Sequence, residues 1–87
     1  MDKVMFSTDA LSDLMYWAHN DRKILDKIYS LIKDIKRNGP AKGLGKPERL
    51  KHKDAWSRRI DETNRLVCSI IEGDIIYVDS CRDHYGD

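Results

Sequence analysis

Apolar residues recur at helical spacing in the first half of the chain and at strand spacing in the second. Ile24, Leu25, Ile28, Leu31, Ile32 and Ile35 form one stripe with Lys, Arg and Asp on the opposite face, which predicts an amphipathic helix. Asn38-Gly39-Pro40 stops it, because glycine tolerates a left-handed exit and proline cannot continue the hydrogen-bond ladder. Leu11, Leu14, Met15 and Ala18 recur at i, i+3, i+4 and i+7 and predict a shorter helix ahead of it, with these four on its core face. Ser7 or Thr8 is placed to cap the first helix and Asn20 or Asp21 the second, while Asp9 suits a first turn. Lys3-Val4-Met5-Phe6 reads as a short leading strand.

From Ala41 the pattern changes. Ala41-Lys42-Gly43-Leu44-Gly45-Lys46-Pro47 reads as a flexible basic loop, and no Lys-Ser/Thr pair follows its glycines, so it does not read as a nucleotide-phosphate loop. Strand-like segments follow at about 48–52, 55–61, 65–72 and 74–82. A turn at Glu72-Gly73 would set Cys68 opposite Tyr77. In Trp56-Ser57-Arg58-Arg59-Ile60, alternation puts Trp56, Arg58 and Ile60 on one face and Ser57 and Arg59 on the other. A two-residue loop at Glu62-Thr63 would set Arg65 opposite Ile60, and a three-residue loop, Asp61 to Thr63, would set it opposite Arg59. Glu and Thr are poor at positive φ, so the longer loop is favoured. The expected fold is α+β: a single domain over residues 1–87, two N-terminal helices packed on a mainly antiparallel sheet.

Composition narrows this. A chain of 87 residues has room for one modest core, and 40% apolar with 36% charged residues suits a folded domain. No stretch approaches the roughly 20 apolar residues that cross a bilayer, and no signal-peptide pattern opens the chain, so a cytoplasmic location away from membranes is expected. Cys68 and Cys81 read as free thiols, and no histidine or cysteine spacing suits a structural metal. The net charge of +1 hides an asymmetry: ten Lys/Arg face four acids between Lys36 and Arg65. Such a run is usually a solvated face, but it also suits a polyanion, whose counterions clustered cations release.

Three clusters carry candidate chemistry. Glu48 lies among Lys46, Arg49 and Lys51; Arg59 and Arg65 flank a predicted hairpin; His84 and Tyr85 follow the last strand. Singly, each has a bland reading as an ion-pair partner or an exposed terminal side chain. Together they are the parts for cutting RNA without a metal: a base for the 2′-hydroxyl, cations for the phosphate, and an acid for the departing 5′ oxygen.

Gly45-Lys46-Pro47-Glu48, Leu50-Lys51-His52, Trp56-Ser57-Arg58-Arg59-Ile60, Arg65-Leu66-Val67 and His84-Tyr85 resemble, in order, the motifs of the YoeB/Txe toxins of the RelE superfamily. Tyr16-Trp17, Asp21-Arg22-Lys23 and Leu31-Ile32-Lys33-Asp34 extend the resemblance through the first half. It implies a microbial-ribonuclease-like fold and cleavage of translated mRNA on the ribosome, with no metal or other cofactor. The implied partners are a cognate antitoxin, the ribosome and mRNA, and a homodimer is compatible with it. The resemblance assigns Glu48 as general base, His84 as general acid and Arg65 as the transition-state cation. It makes Lys51 and Arg59 phosphate contacts and Tyr85 the residue that orients or stacks on the nucleotide, and Lys46 joins them as a phosphate-binding candidate. Arg49 stands where proline is common, Thr63-Asn64 replaces a more acidic or histidine-bearing pair, and Gly86-Asp87 follow the usual terminal tyrosine. Two other readings stay open: a protein-binding toxin directed at a target such as DNA gyrase, and a non-catalytic module that binds RNA or its antitoxin.

Overall fold

In a computed structural model, residues 1–83 are described. The elements run β1 (Lys3–Phe6), α1 (Thr8–Asn20), α2 (Arg22–Asn38), β2 (Glu48–Arg49), β3 (Trp56–Arg59), β4 (Arg65–Ile71) and β5 (Ile75–Ser80). The strands form one mixed sheet in the order β1-β5-β4-β3-β2, antiparallel except where β1 runs parallel beside β5. The α+β architecture is therefore the one expected. Among the described residues, no helix is long and apolar enough to cross a membrane.

Both helices are capped as their sequences allow. Ser7 accepts a hydrogen bond from the Ala10 amide, and Asp21 accepts from those of Lys23 and Ile24, satisfying donors that a helix start leaves open. At the far end of α2, Gly39 takes φ 83° and its amide returns to Ile35.

One face of the sheet is packed on the helices. Ile28, Leu31 and Ile35 of α2 meet Ile60, Leu66, Cys68, Ile76 and Val78, all buried, with Ile24, Leu25 and Ile32 against the edge. The α2 stripe thus faces the core along its length, fully buried at Ile28, Leu31 and Ile35 and partly at Ile24, Leu25 and Ile32. The α1 stripe does not: Leu11 and Met15 are each 54% exposed, and Ala10 and Trp17 are buried in their place with Leu14 beside them. The helix is rotated by polar anchors, because the Trp17 indole donates to the Cys81 carbonyl at 2.8 Å and Asp13 accepts from the Cys81 amide at 2.9 Å. A heavy side chain with a buried N–H must face an acceptor, and that requirement overrides a purely apolar stripe.

The β4–β5 hairpin also differs from expectation. Ile71 pairs with Ile75 and Cys68 with Val78, so the loop holds three residues, not two, with Glu72 and Gly73 both at positive φ. Pairing then jumps to Val67 with Ser80, leaving Asp79 as the extra residue of a β-bulge. The bulge resets the alternation so that Val78 and Cys81 both reach the core. Cys68 and Cys81 are free and buried, and burial pushes their thiols up to about 11 and about 12, so both are neutral at physiological pH.

A candidate site on the open face of the sheet

The sheet's second face carries Ser57 and Arg59 from β3, and Arg65 and Val67 from β4. Glu48 joins them because its Cα pairs with that of Ser57, and cross-strand partners point to the same side. β2 is shorter than the expected strand: after Arg49 the chain leaves the sheet edge and folds back over this face. Leu50 and Ala55 cover Val67 in a second small core, closed by the Leu50 amide on the Ala55 carbonyl at 2.9 Å. Lys53 reaches Asp79 on β5 at 3.1 Å. The loop bearing Lys51 and His52 is therefore held across the sheet, with both residues exposed.

The register of β3 and β4 decides the site's charge. Arg59 lies directly opposite Arg65, with the Ile60 amide bonded to the Asn64 carbonyl at 2.9 Å, as the three-residue loop requires. Asp61 makes that loop by accepting from the amides of Thr63 and Asn64. Burial opposes the Asp61 charge, but these hydrogen bonds prevail and hold its carboxyl below the usual range. Two arginines thus occupy facing positions on the same side of the sheet, where like charges favour an anion between them. Arg65 Nη1 is 3.7 Å from Glu48 Oε1, which brings a carboxylate and a mostly buried guanidinium together from separate strands.

Arg49 points to the other side of β2, pairing with Asp54 at 2.6 Å and lying over the Trp56 ring at 5.7 Å from its centroid. The Arg49 side chain thus lies away from the Glu48 face. Lys46, exposed at φ 49°, immediately precedes Pro47 and Glu48. His84 and Tyr85, with Gly86 and Asp87, lie outside the described residues. The last described residue, Asp83, is tied beside the site: its amide donates to Asn64 Oδ1 at 2.7 Å and its carbonyl accepts from the Arg65 amide at 3.1 Å. The Thr63-Asn64 departure thus supplies Asn64 as an anchor for the chain's end. Tyr16, an exposed residue of α1, carries the Arg82 guanidinium 3.5 Å from its ring centroid, so it serves this same segment.

Among the described residues, no cluster of three or more His, Cys, Asp or Glu side chains is placed to hold a metal ion. The chemistry the described site offers is proton acceptance by a carboxylate and charge stabilisation by two guanidiniums. Alternation along β3 set Arg58 on the face of Trp56 and Ile60, as found, but gave it no role. Arg58, between Trp56 and Ile60 on the helix-facing side, is completely buried, and its position inside an apolar alternation was the available signal.

A small α+β domain whose open sheet face gathers Glu48, Arg59 and Arg65 fits the class of compact toxins built on this scaffold. The description "YoeB-like toxin of bacterial type II toxin-antitoxin system" matches residues 6–85. Toxin YoeB of Escherichia coli K12 is 44% identical over 85 residues, covering 95% of this chain and 99% of the relative. Toxin RelK of Mycobacterium tuberculosis is 39% identical over 87 residues, covering 98% and 100%. Among solved structures, the YoeB dimer of Staphylococcus aureus superposes with a TM-score of 0.89 at 41% identity, covering 95% of this chain and 97% of that one. The heterotetrameric YoeB–YefM toxin–antitoxin complex of the same organism gives 0.88 at 41%, with the same coverage. The chain belongs to the YoeB-like family of type II toxins.

Proposed function

We propose that this toxin is a ribosome-dependent endoribonuclease that cuts translated mRNA in the cytoplasm by metal-independent acid–base chemistry and so inhibits translation. The observation that carries the reading is the placement of Glu48, Arg65 and Arg59 on one side of the sheet, with Glu48 Oε1 and Arg65 Nη1 3.7 Å apart. In this reading Glu48 removes the proton from a 2′-hydroxyl, whose oxygen attacks the adjacent phosphorus in line. Arg65 and Arg59 hold the charge that builds on the phosphoryl oxygens, where preorganised cations act most strongly. His84 returns a proton to the departing 5′ oxygen, giving a 2′,3′-cyclic phosphate and a 5′-hydroxyl. Lys46 and Lys51 contact flanking phosphates, and Tyr85 stacks on the nucleotide, since every base offers a π face.

A cognate antitoxin neutralises the toxin, as the complexes of the Staphylococcus aureus relative support, and two copies pair as in that relative's dimer. A transcriptome-wide map of mRNA 5′ ends during brief expression tests the function. Wild type is expected to produce cuts within translated codons that vanish with Glu48→Gln or Arg65→Ala. Growth arrest with intact mRNA and relaxed plasmid DNA would instead place the target at DNA gyrase. Arrest undiminished by either substitution would overturn the site.

A further inference from the structure

One buried residue of β3 grips the loop that leads to the site. Arg58 is wholly buried, and the four hydrogens of its two terminal nitrogens meet four acceptors. Nη1 donates to Asp34 Oδ2 at 2.6 Å and to the Leu44 carbonyl at 2.8 Å. Nη2 donates to the carbonyls of Gly39 at 2.8 Å and Lys42 at 2.6 Å. Asp34 in turn accepts from the Leu44 amide at 3.0 Å through Oδ2 and from Asn38 Nδ2 at 2.9 Å through Oδ1. The connection from α2 to β2, read from its glycines as flexible, is wound around one guanidinium.

This winding leads directly to Glu48. Beyond Leu44, the Gly45 carbonyl accepts from the Arg59 amide at 2.6 Å, and a Cβ at Gly45 would lie 2.8 Å from the Arg59 carbonyl. Lys46, Pro47 and Glu48 follow, and Glu48 has only a two-residue strand to hold it to β3. We propose that Arg58 and Asp34 form a positioning clamp that sets the 39–46 loop and, through it, the place of Glu48 against Arg65. Adjacent residues of β3 divide the work: Arg58 grips the loop from the helix side, and Arg59 faces the site from the other. Gly43 is the keyhole. It sits at φ 116°, and a Cβ there would overlap Asp34 Oδ2, driving the carboxylate off both Arg58 and Leu44. Lysine cannot replace Arg58, because one ammonium has three donors at a single point and cannot fork to four spread acceptors.

The kinetic part of this inference rests on the ribonuclease reading; the mechanical part does not. The test uses Gly43→Ala and Arg58→Lys in the full chain, with hydrogen exchange by peptide and cleavage of mRNA on programmed ribosomes. Both variants are expected to speed exchange across residues 42–49 by at least about tenfold while β4 and β5 stay protected. They are expected to lower kcat by about tenfold to a hundredfold with KM for programmed ribosomes within about twofold, since a misplacement near 1 Å costs about that much. Unchanged loop exchange in both variants would overturn the clamp, as would freed loops with full kcat. Lost protection throughout β4 and β5 in both would make Arg58 a general fold determinant and overturn the positioning role. A wild-type chain that leaves mRNA intact overturns the ribonuclease reading, and exchange then judges the clamp alone.

Discussion

Arg58 and Arg59 are neighbours on one strand and lead opposite lives. Arg58 faces the helices, is sealed from solvent, and spends every terminal hydrogen on Asp34 and three carbonyls. Arg59 faces the open side, opposite Arg65 and near Glu48, where its charge meets another of the same sign. The difference shows how a small sheet divides its labour. The covered face spends its polar groups on shape, because an unpaired buried charge is too costly to keep. The other face brings like charges together, an arrangement that an anion between them would relieve.

Substitutions on the two faces should therefore separate activity from stability. The largest effect is expected at Glu48→Gln on the open face. Cleavage should fall by about two to four powers of ten, with stability within about 0.5 kcal/mol of wild type, read by cleavage assays and chemical denaturation. Arg65→Ala should lose about two to three powers of ten in cleavage, with a larger stability change than Glu48→Gln because its side chain is mostly buried.

On the covered face, Asp34→Ala should cost about 3–5 kcal/mol of stability, because it strands a buried guanidinium. The ordinary pKa of Asp34 is 3.8, and its hydrogen bond to Arg58 lowers it against the opposing effect of burial. A carboxylate with a depressed folded pKa contributes stability that is full above the unfolded pKa and fades as pH falls through the folded one. Wild type should thus lose this contribution on acidification below about pH 4, whereas Asp34→Ala should lack that portion of the acid dependence. A similar urea midpoint for both proteins at pH 7 would break the contrast between the faces.

Smaller effects sharpen it at the junction where the chain's end meets the site. Trp17→Phe removes the donor to the Cys81 carbonyl and should cost about 1–3 kcal/mol, with a loss of cleavage greater than the unfolded fraction explains. Asp13 runs the other way: burial raises its carboxyl against the Cys81 amide and Arg82. A carboxylate with a raised folded pKa contributes stability below its unfolded pKa and loses it as pH rises. Asp13→Asn keeps an acceptor for the Cys81 amide, so its Tm at pH 7 should equal or exceed that of wild type, with the difference vanishing at acid pH. A clear drop in Tm at pH 7 would show that the Asp13 charge itself stabilises the fold.

The legible parts of the fold were those where one local signal dominated. The α2 stripe, both caps and the Arg59–Arg65 register follow from apolar periodicity, short polar side chains and a loop too poor in glycine for a tight turn. The α1 face was misread because Trp17 and Asp13 serve Cys81, far away in sequence, and Leu11 and Met15 were left outside. The β4–β5 register slipped by one because Glu72 accepts φ 52°, a conformation its residue type disfavours. At the site, spacing brought out Arg59 and Arg65, but the approach of Glu48 needs the loop, and the loop needs Arg58. Long-range polar anchors of this kind leave little trace in local pattern. The assignments of His84 and Tyr85 rest on the motif order alone.

The central claim is that Glu48 and Arg65 act on a ribose 2′-hydroxyl beside one phosphate. Programmed ribosomes carrying mRNA with a single 2′-deoxy sugar at the mapped cut test it most directly. The all-ribose message should yield a 2′,3′-cyclic phosphate and a 5′-hydroxyl, and the deoxy message should remain whole. Cutting of the deoxy message at the same bond would contradict the account.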